Sequence, residues 1–158
     1  MKIKYFSEDY PRLEKLSVGD HIDLRVDRID QLIRDGATIK NIKLDGSFEL
    51  VEGDVVRFGL GVAMELPIGY EAHISPRSST FKYWGMIQTN SVGIIDNSYC
   101  GDRDEWLIEF IVVRDSTIQR FDRVCQFRLF QNQPKFEIVE VEYLDNDNRG
   151  GYGNSGKN

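Results

Sequence analysis

Val55-Val56-Arg57-Phe58-Gly59-Leu60, Ala63-Met64-Glu65-Leu66 and Tyr70-Glu71-Ala72-His73-Ile74 are three short apolar runs in close succession, with Leu66-Pro67-Ile68-Gly69 as a turn signal before the last. Short apolar runs bounded by Gly, Pro, Asn and Asp read as strands. Ile22–Val26, Leu107–Val113, Val124–Phe130 and Phe136–Val141 repeat the pattern. Leu107-Ile108-Glu109-Phe110 and Phe136-Glu137-Ile138-Val139-Glu140-Val141 alternate apolar with charged residues, as half-buried strands do. Further turn signals stand at Asp45-Gly46, Glu52-Gly53-Asp54 and Gln133-Pro134. Many short strands at even spacing predict an all-β fold, a β-sandwich or jelly-roll. At most two short helical turns are expected. Asp27–Arg34 puts Ile29, Leu32 and Ile33 on one face and predicts a helix ending at Gly36, and Ser78–Tyr83 predicts a single turn.

The 158 residues suit one domain with a core of its own. A hydrophobic content of 41% beside 29% charged residues excludes wholesale disorder. No apolar run reaches membrane-spanning length and Met1–Lys4 opens no signal peptide, so a soluble, cytoplasmic protein is expected, in the host cytoplasm if phage-encoded. Cys100 and Cys125 fit a reducing compartment, and neither has a neighbour at zinc-ligand spacing. The net charge of −6 argues against a large duplex-DNA footprint, but a few arginines and backbone amides can still hold a small anion. From Asp145 the composition becomes Gly- and Asn-rich. Residues 145–158 are either a disordered terminus or a lid that orders on a ligand, with Arg149 as a donor and Tyr152 as a stacking face. By composition the chain divides into a β domain over 1–144 and the terminal segment 145–158.

Four segments offer chemistry. Ser75-Pro76-Arg77-Ser78-Ser79-Thr80 follows a strand and reads either as a phosphate cradle or as a helix cap with a solvated arginine. Asn90–Asp102 reads as a hairpin turning at Asp96-Asn97-Ser98, which brings Asp96 and Tyr99 together. A carboxylate there can orient and deprotonate water, and the tyrosine ring can lie against a sugar; the alternative is an ordinary turn with a packing tyrosine. Gln126, inside the apolar run after Phe121-Asp122-Arg123, is either a satisfied buried amide or a donor to a ligand. Asp23 in Gly19–Arg25 lies on a strand whose plain reading is a solvated face.

In combination and order these segments resemble the five motifs of the dUTPase family. Ile22-Asp23-Leu24-Arg25 resembles the first, Pro76-Arg77-Ser78-Ser79 the second, and Val92-Gly93-Ile94-Ile95-Asp96-Asn97-Ser98-Tyr99-Cys100-Gly101 the third. Asp122-Arg123-Val124-Cys125-Gln126 resembles the fourth and Arg149-Gly150-Gly151-Tyr152-Gly153-Asn154-Ser155-Gly156 the fifth, while Gly61–Tyr70 fits between the first two. The resemblance implies a jelly-roll homotrimer with active sites shared between subunits. It implies hydrolysis of dUTP to dUMP and pyrophosphate with Mg2+ carried chiefly by the triphosphate oxygens, which keeps uracil out of DNA and supplies dUMP for dTMP synthesis. By the same resemblance Asp96 activates the attacking water and Tyr99 packs under deoxyribose. Asn90, Gly93 and Ile94 read uracil. Arg77, Ser78 and Ser79 grip phosphates from a neighbouring subunit, Gln126 meets the α-phosphate region, and Asp23 supports the site. Arg149, Tyr152 and Ser155 belong to the closing tail.

The resemblance makes 145–158 a flexible lid, which departs from the usual pattern with Tyr152 where Phe is common and Asn154 where Ser or His is common. It also makes 27–53, longer than the family pattern between the first motif and Gly61–Tyr70, a surface insertion. A related fold, dCTP deaminase, shares an Arg-Ser-Ser element but works through a glutamate in the third motif, whereas Asp96 and Tyr99 form the dUTPase pairing. A nucleotide-sensing interaction protein on the same scaffold is the other reading, and it has no need of the Asp96 carboxylate.

Overall fold

A computed structural model describes residues 1–15 and 17–150. Its strands are β1 (Lys2–Tyr5), β2 (Ile22–Leu24), β3 (Arg28–Arg34), β4 (Ala37–Lys43), β5 (Phe48–Leu50), β6 (Val55–Gly59) and β7 (Val62–Glu65). They continue as β8 (Tyr70–Pro76), β9 (Met86–Gln88), β10 (Gly93–Ile95), β11 (Leu107–Val112), β12 (Ser116–Ile118) and β13 (Cys125–Gln131), with one short helix, α1 (Thr80–Trp84), after β8. The fold is all-β, as expected. Two antiparallel sheets dominate, one ordered β4-β3-β6-β11-β9 and the other β10-β8-β13-β2. Two-stranded ladders, β1 with β7 and β5 with β12, complete the chain.

Period-two patterning explains why the two main sheets share one core. Val56 and Phe58 of β6 and Ile108, Phe110 and Val112 of β11 point inward, and so do Ala72 and Ile74 of β8 and Cys125 and Phe127 of β13. Trp106 packs edge-on against Phe127, joining the layers. The outward Arg57 of β6 instead meets Asp30 at 2.8 Å. Gly61 makes the tight β6–β7 corner at φ +63°, where a Cβ would lie 2.8 Å from the Tyr10 ring, so only glycine fits.

Two expectations are corrected. Asp27–Arg34 is not a helix; its residues from Arg28 onward are strand β3, between β4 and β6. A bulge between Ile29 and Gln31 turns Ile29 (0% exposed) and Leu32 (1%) to the same side, so a three-residue spacing mimics a helical face. Asp35 and Gly36 both have positive φ, 51° and 76°, and close the β3–β4 hairpin as a two-residue turn of mirrored type. Residues 27–53, expected as a surface insertion, therefore divide: β3 is a core strand, and β4 is the exposed sheet edge. The second correction concerns Phe136–Val141, which forms no ladder among the described residues. An extended segment becomes a strand only where a partner edge accepts its backbone, and here Phe136, Ile138, Val139 and Val141 stay exposed. The helical turn expected at Ser78–Tyr83 is met by α1.

Candidate active site

Asp96 stands just past the end of β10 in a tight turn closed by the Tyr99 N–H on the Asp96 carbonyl at 3.0 Å. One carboxylate oxygen, Oδ1, accepts the Ser98 N–H at 2.8 Å and the Ser98 hydroxyl. These hydrogen bonds hold the exposed carboxyl below the usual carboxylate range, so it is ionised at neutral pH. The other oxygen, Oδ2, receives no hydrogen bond from the described residues and faces solvent. The neighbouring Asn97 amide anchors the turn to the carbonyls of Leu66 and Pro67, at 3.4 and 3.2 Å.

The hairpin expected over Asn90–Asp102 is only half present. The turn exists, but the chain after it does not return along β10, which pairs with β8 instead (Gly93 to Ile74, Ile95 to Ala72). Asn97's hold on the Leu66–Pro67 loop draws the chain away from β10 and toward β11. In consequence β10 is an outer strand, and the backbone groups on its far edge pair with no described strand. A cavity of about 430 Å³ opens beside it, lined by Ile94, Ile95, Asp96, Ser98, Tyr99, Glu105 and Leu107. Tyr99 forms part of its wall and donates its hydroxyl to the Glu105 carbonyl at 3.1 Å. Partial burial, with the charges of Asp104, Glu105 and Asp30 nearby, raises the Tyr99 pKa, so the ring remains a neutral surface.

Glu105 had no signal in the sequence. Its buried carboxylate accepts the Gly61 N–H at 3.0 Å through Oε1 and pairs with Arg28 through Oε2. Gly59 is necessary beside it, since a Cβ there would come within 2.6 Å of Oε1. Arg28 continues to Asp30 at 2.7 Å, and Asp30 to Arg57. Burial alone would raise the Asp30 pKa, but the hydrogen bonds and charges of the two arginines outweigh it and hold it low. Core strand β3 is thus tied to the backbone on which Tyr99 rests.

A second group of predicted residues gathers elsewhere. Asp23 on β2 lies opposite Gln126 on β13, and its carboxylate bridges Arg77 (Nε, 2.9 Å) and Arg123 (3.1 Å). Gln126 donates to the Pro76 carbonyl at 3.3 Å. Thr80, fully buried, accepts the Arg77 N–H and donates to the Val124 carbonyl at 2.7 Å, which leaves Arg77 anchored beside β13. Ser79 begins α1 without a side-chain capping bond, and Ser78 is exposed, so both hydroxyls remain free to meet a ligand. Arg123, whose role was not foreseen, also lines a cavity of about 270 Å³ with Arg12, Arg25, Glu14 and Asp23.

The two groups do not meet within one chain. Asp96 follows Ile95, opposite Ala72 near the start of β8, whereas Arg77 follows the far end of β8. Ala72 to Arg77 is five residues, about 17 Å of strand at roughly 3.4 Å each, so the two groups sit at opposite ends of β8. Arg149 is exposed and makes no hydrogen bond or ion pair among the described residues, and Tyr152 and Ser155 lie outside them. No three His, Cys, Asp or Glu side chains converge among the described residues, so no protein cage for a metal is present there. No described helix is long and apolar enough to cross a membrane.

Asn90 is exposed beside β10, and its Oδ1 accepts from Gln88 Nε2 at 2.9 Å. Gln88 is 6% exposed, and its Oε1 finds no partner, a loss of about 1–3 kcal/mol for a buried polar atom.

Comparison with known proteins adds four observations. The dUTPase family model matches residues 28–157. The SPbeta prophage-derived deoxyuridine 5'-triphosphate nucleotidohydrolase YosS of Bacillus subtilis (strain 168) is 47% identical over 156 residues, 99% of this chain and 97% of that protein. The dUTPase of Staphylococcus bacteriophage 80alpha, solved with dUpNHpp, shares the fold at a TM-score of 0.69 and 14% identity, over 98% of this chain and 97% of that one. A dUTPase variant from phage phi11 of S. aureus, described with a structural Mg(II) ion, aligns at a TM-score of 0.66 and 14% identity, covering 91% and 97%.

Proposed function

This chain belongs to the dUTPase family, and from that premise we propose that its residues divide the work of cleaving dUTP between two ends of the β10-β8-β13-β2 sheet. The reaction is hydrolysis of dUTP to dUMP and pyrophosphate. Water attacks the α-phosphorus, the bond from that phosphorus to the bridging oxygen breaks, and pyrophosphate leaves. Asp96 Oδ2 holds this water and takes its proton, while Ser98 fixes the other oxygen and so the direction of the carboxylate. A carboxylate held this low is a weak base, so most of the acceleration comes from positioning and from neutralising phosphate charge.

The observation that carries the reading is the open edge of β10 beside the cavity that Asp96 and Tyr99 line. Uracil presents an acceptor–donor–acceptor edge like that of a peptide strand, and the unpaired backbone groups around Gly93 and Ile94 complement it. Asn90 adds a side-chain donor. The Tyr99 ring lies under the sugar and leaves no room for a 2′-hydroxyl.

Phosphate grip falls to Arg77, Ser78 and Ser79, with Gln126 near the α-phosphate. Asp23 holds Arg77 in place. Standing about 17 Å apart along the backbone of one β8, the two ends favour sites shared between copies, as in a closed homotrimer. Exposed apolar side chains such as Ile87 and Ile111, paired across β9 and β11, offer such copies a surface. Residues 145–158, with Arg149, Tyr152 and Ser155, close over the bound nucleotide. Mg2+ fits described residues that offer no acidic cage if the triphosphate oxygens carry it, and when bound it would neutralise phosphate charge.

Incubation with dUTP, dCTP, dTTP and UTP, with and without Mg2+, tests the reading through two products. Pyrophosphate release confined to dUTP is expected. Ammonia release from dCTP would assign the site to a deaminase instead.

A further inference from the structure

Gln88 hydrogen-bonds to one predicted site residue, Asn90, and its orphaned Oε1 needs a reason. The reason begins at the Ile74 carbonyl on β8, an acceptor whose identity is not in question. Gln88 Nε2 lies 3.4 Å from that oxygen and 2.9 Å from Asn90 Oδ1. Only a donor can face a backbone carbonyl, so the Gln88 amide cannot turn round, even though its own oxygen is left without a partner. Gly93 packs over Gln88, with its Cβ position 3.4 Å from Nε2, and helps to seal it from water. Since Gln88 Nε2 must donate in both directions, the Asn90 atom that meets it must be the oxygen. The Asn90 NH2 group then faces outward, with no hydrogen bond to the described residues.

We infer that Gln88 is a positioning residue for base choice: it fixes the Asn90 amide as a donor toward the base and so selects a 4-oxo over a 4-amino pyrimidine. Uracil offers O4, an acceptor, to that NH2. Cytosine offers its own N4 amino group, and two donors then oppose one another with no acceptor between them. The inference deepens the proposed function and rests on Asn90 facing the base. The relay does not tell uracil from thymine, which carries the same O4, nor does it touch the sugar.

Gln88→Met keeps length and buries no polar atom, but frees Asn90 to turn its oxygen outward. The measurement is kcat/KM for dUTP, dCTP and UTP in the intact assembly, beside Asn90→Ala. The dUTP-to-dCTP ratio should fall about tenfold in Q88M through a loss for dUTP and a gain for dCTP, with the dUTP-to-UTP ratio unchanged. An unaltered dUTP-to-dCTP ratio in Q88M, where N90A does change it, overturns the role of Gln88 and leaves Asn90 as the reader. If N90A also leaves that ratio unaltered, Asn90 does not read the base and the inference falls with it. Should Q88M fail to fold, exchange of the Gln88 side-chain NH2 in the unsubstituted chain decides. Slow exchange, with both protons held, is expected, and exchange at the rate of a free amide overturns the relay.

Discussion

At the residue scale, the chemistry turns on which atoms are left free. Asp96 spends one oxygen on Ser98 and leaves the other without a partner among the described residues, free for the proposed water. Asp96→Asn removes the proton acceptor but keeps the turn, because the amide oxygen can still accept from Ser98. We expect kcat to drop by roughly a hundredfold or more, with binding of a non-hydrolysable dUTP analogue nearly unchanged. Single-turnover kinetics beside equilibrium titration would check this, and near-normal turnover in the variant would remove Asp96 as the base. The residues that the sequence offered were those that fill the family motifs, and the structure brings Asp96 and Tyr99 to one cavity and Arg77 to Asp23. Gln88 and Glu105 were not legible. Each acts through a backbone carbonyl or amide, of Ile74 in one case and of Gly61 in the other, and no spacing along the chain records such a contact.

At the scale of elements, alternation made β6, β11 and β13 readable, because one face of each is core and the other is not. β3 was missed because its bulge breaks the alternation, although Asp35-Gly36 is a strong hairpin signal once two strands are placed around it. Phe136–Val141 kept the pattern of a strand without acquiring a neighbour, so pattern alone could not say what it pairs with. The β5–β6 corner shows how an element boundary is held. Asp54, almost fully buried, accepts from Arg34 Nε at 2.8 Å and from the Val51 N–H at 2.9 Å. Burial by itself would raise the Asp54 pKa; these bonds and the arginine charge outweigh it and bring the pKa below its ordinary 3.8. A carboxyl depressed in the folded state contributes stability that is complete above its unfolded pKa and is lost as pH falls through the folded one. Asp30 adds to this in the same direction. Thermal unfolding should therefore show a melting temperature steady above about pH 5 and falling below 3.8, with Asp54→Asn flattening the acid limb. An acid limb of the same slope in that variant would contradict the assignment.

At the scale of the whole molecule, the separation along β8 makes a prediction that no single chain can meet. Mixing inactive Asp96→Asn with inactive Arg77→Gln and allowing copies to exchange should restore activity, since some sites then draw Asp96 from one variant and Arg77 from the other. With equal amounts, roughly a quarter of the parental turnover is expected, each required residue being intact in half of the copies. Hybrid assemblies verified by mass spectrometry yet devoid of turnover would show that one copy supplies both groups. In a chain of net charge −6, Arg12, Arg25, Arg77 and Arg123 gather near Asp23.

The length of β8 has a further consequence. If a carboxylate at one end and a guanidinium at the other serve different nucleotides, as proposed, turnover answers to abundance: a lone copy can cradle a base or grip an anion, and encounters between copies make the hydrolase. Dilution then acts as an off-switch written into a strand of seven residues.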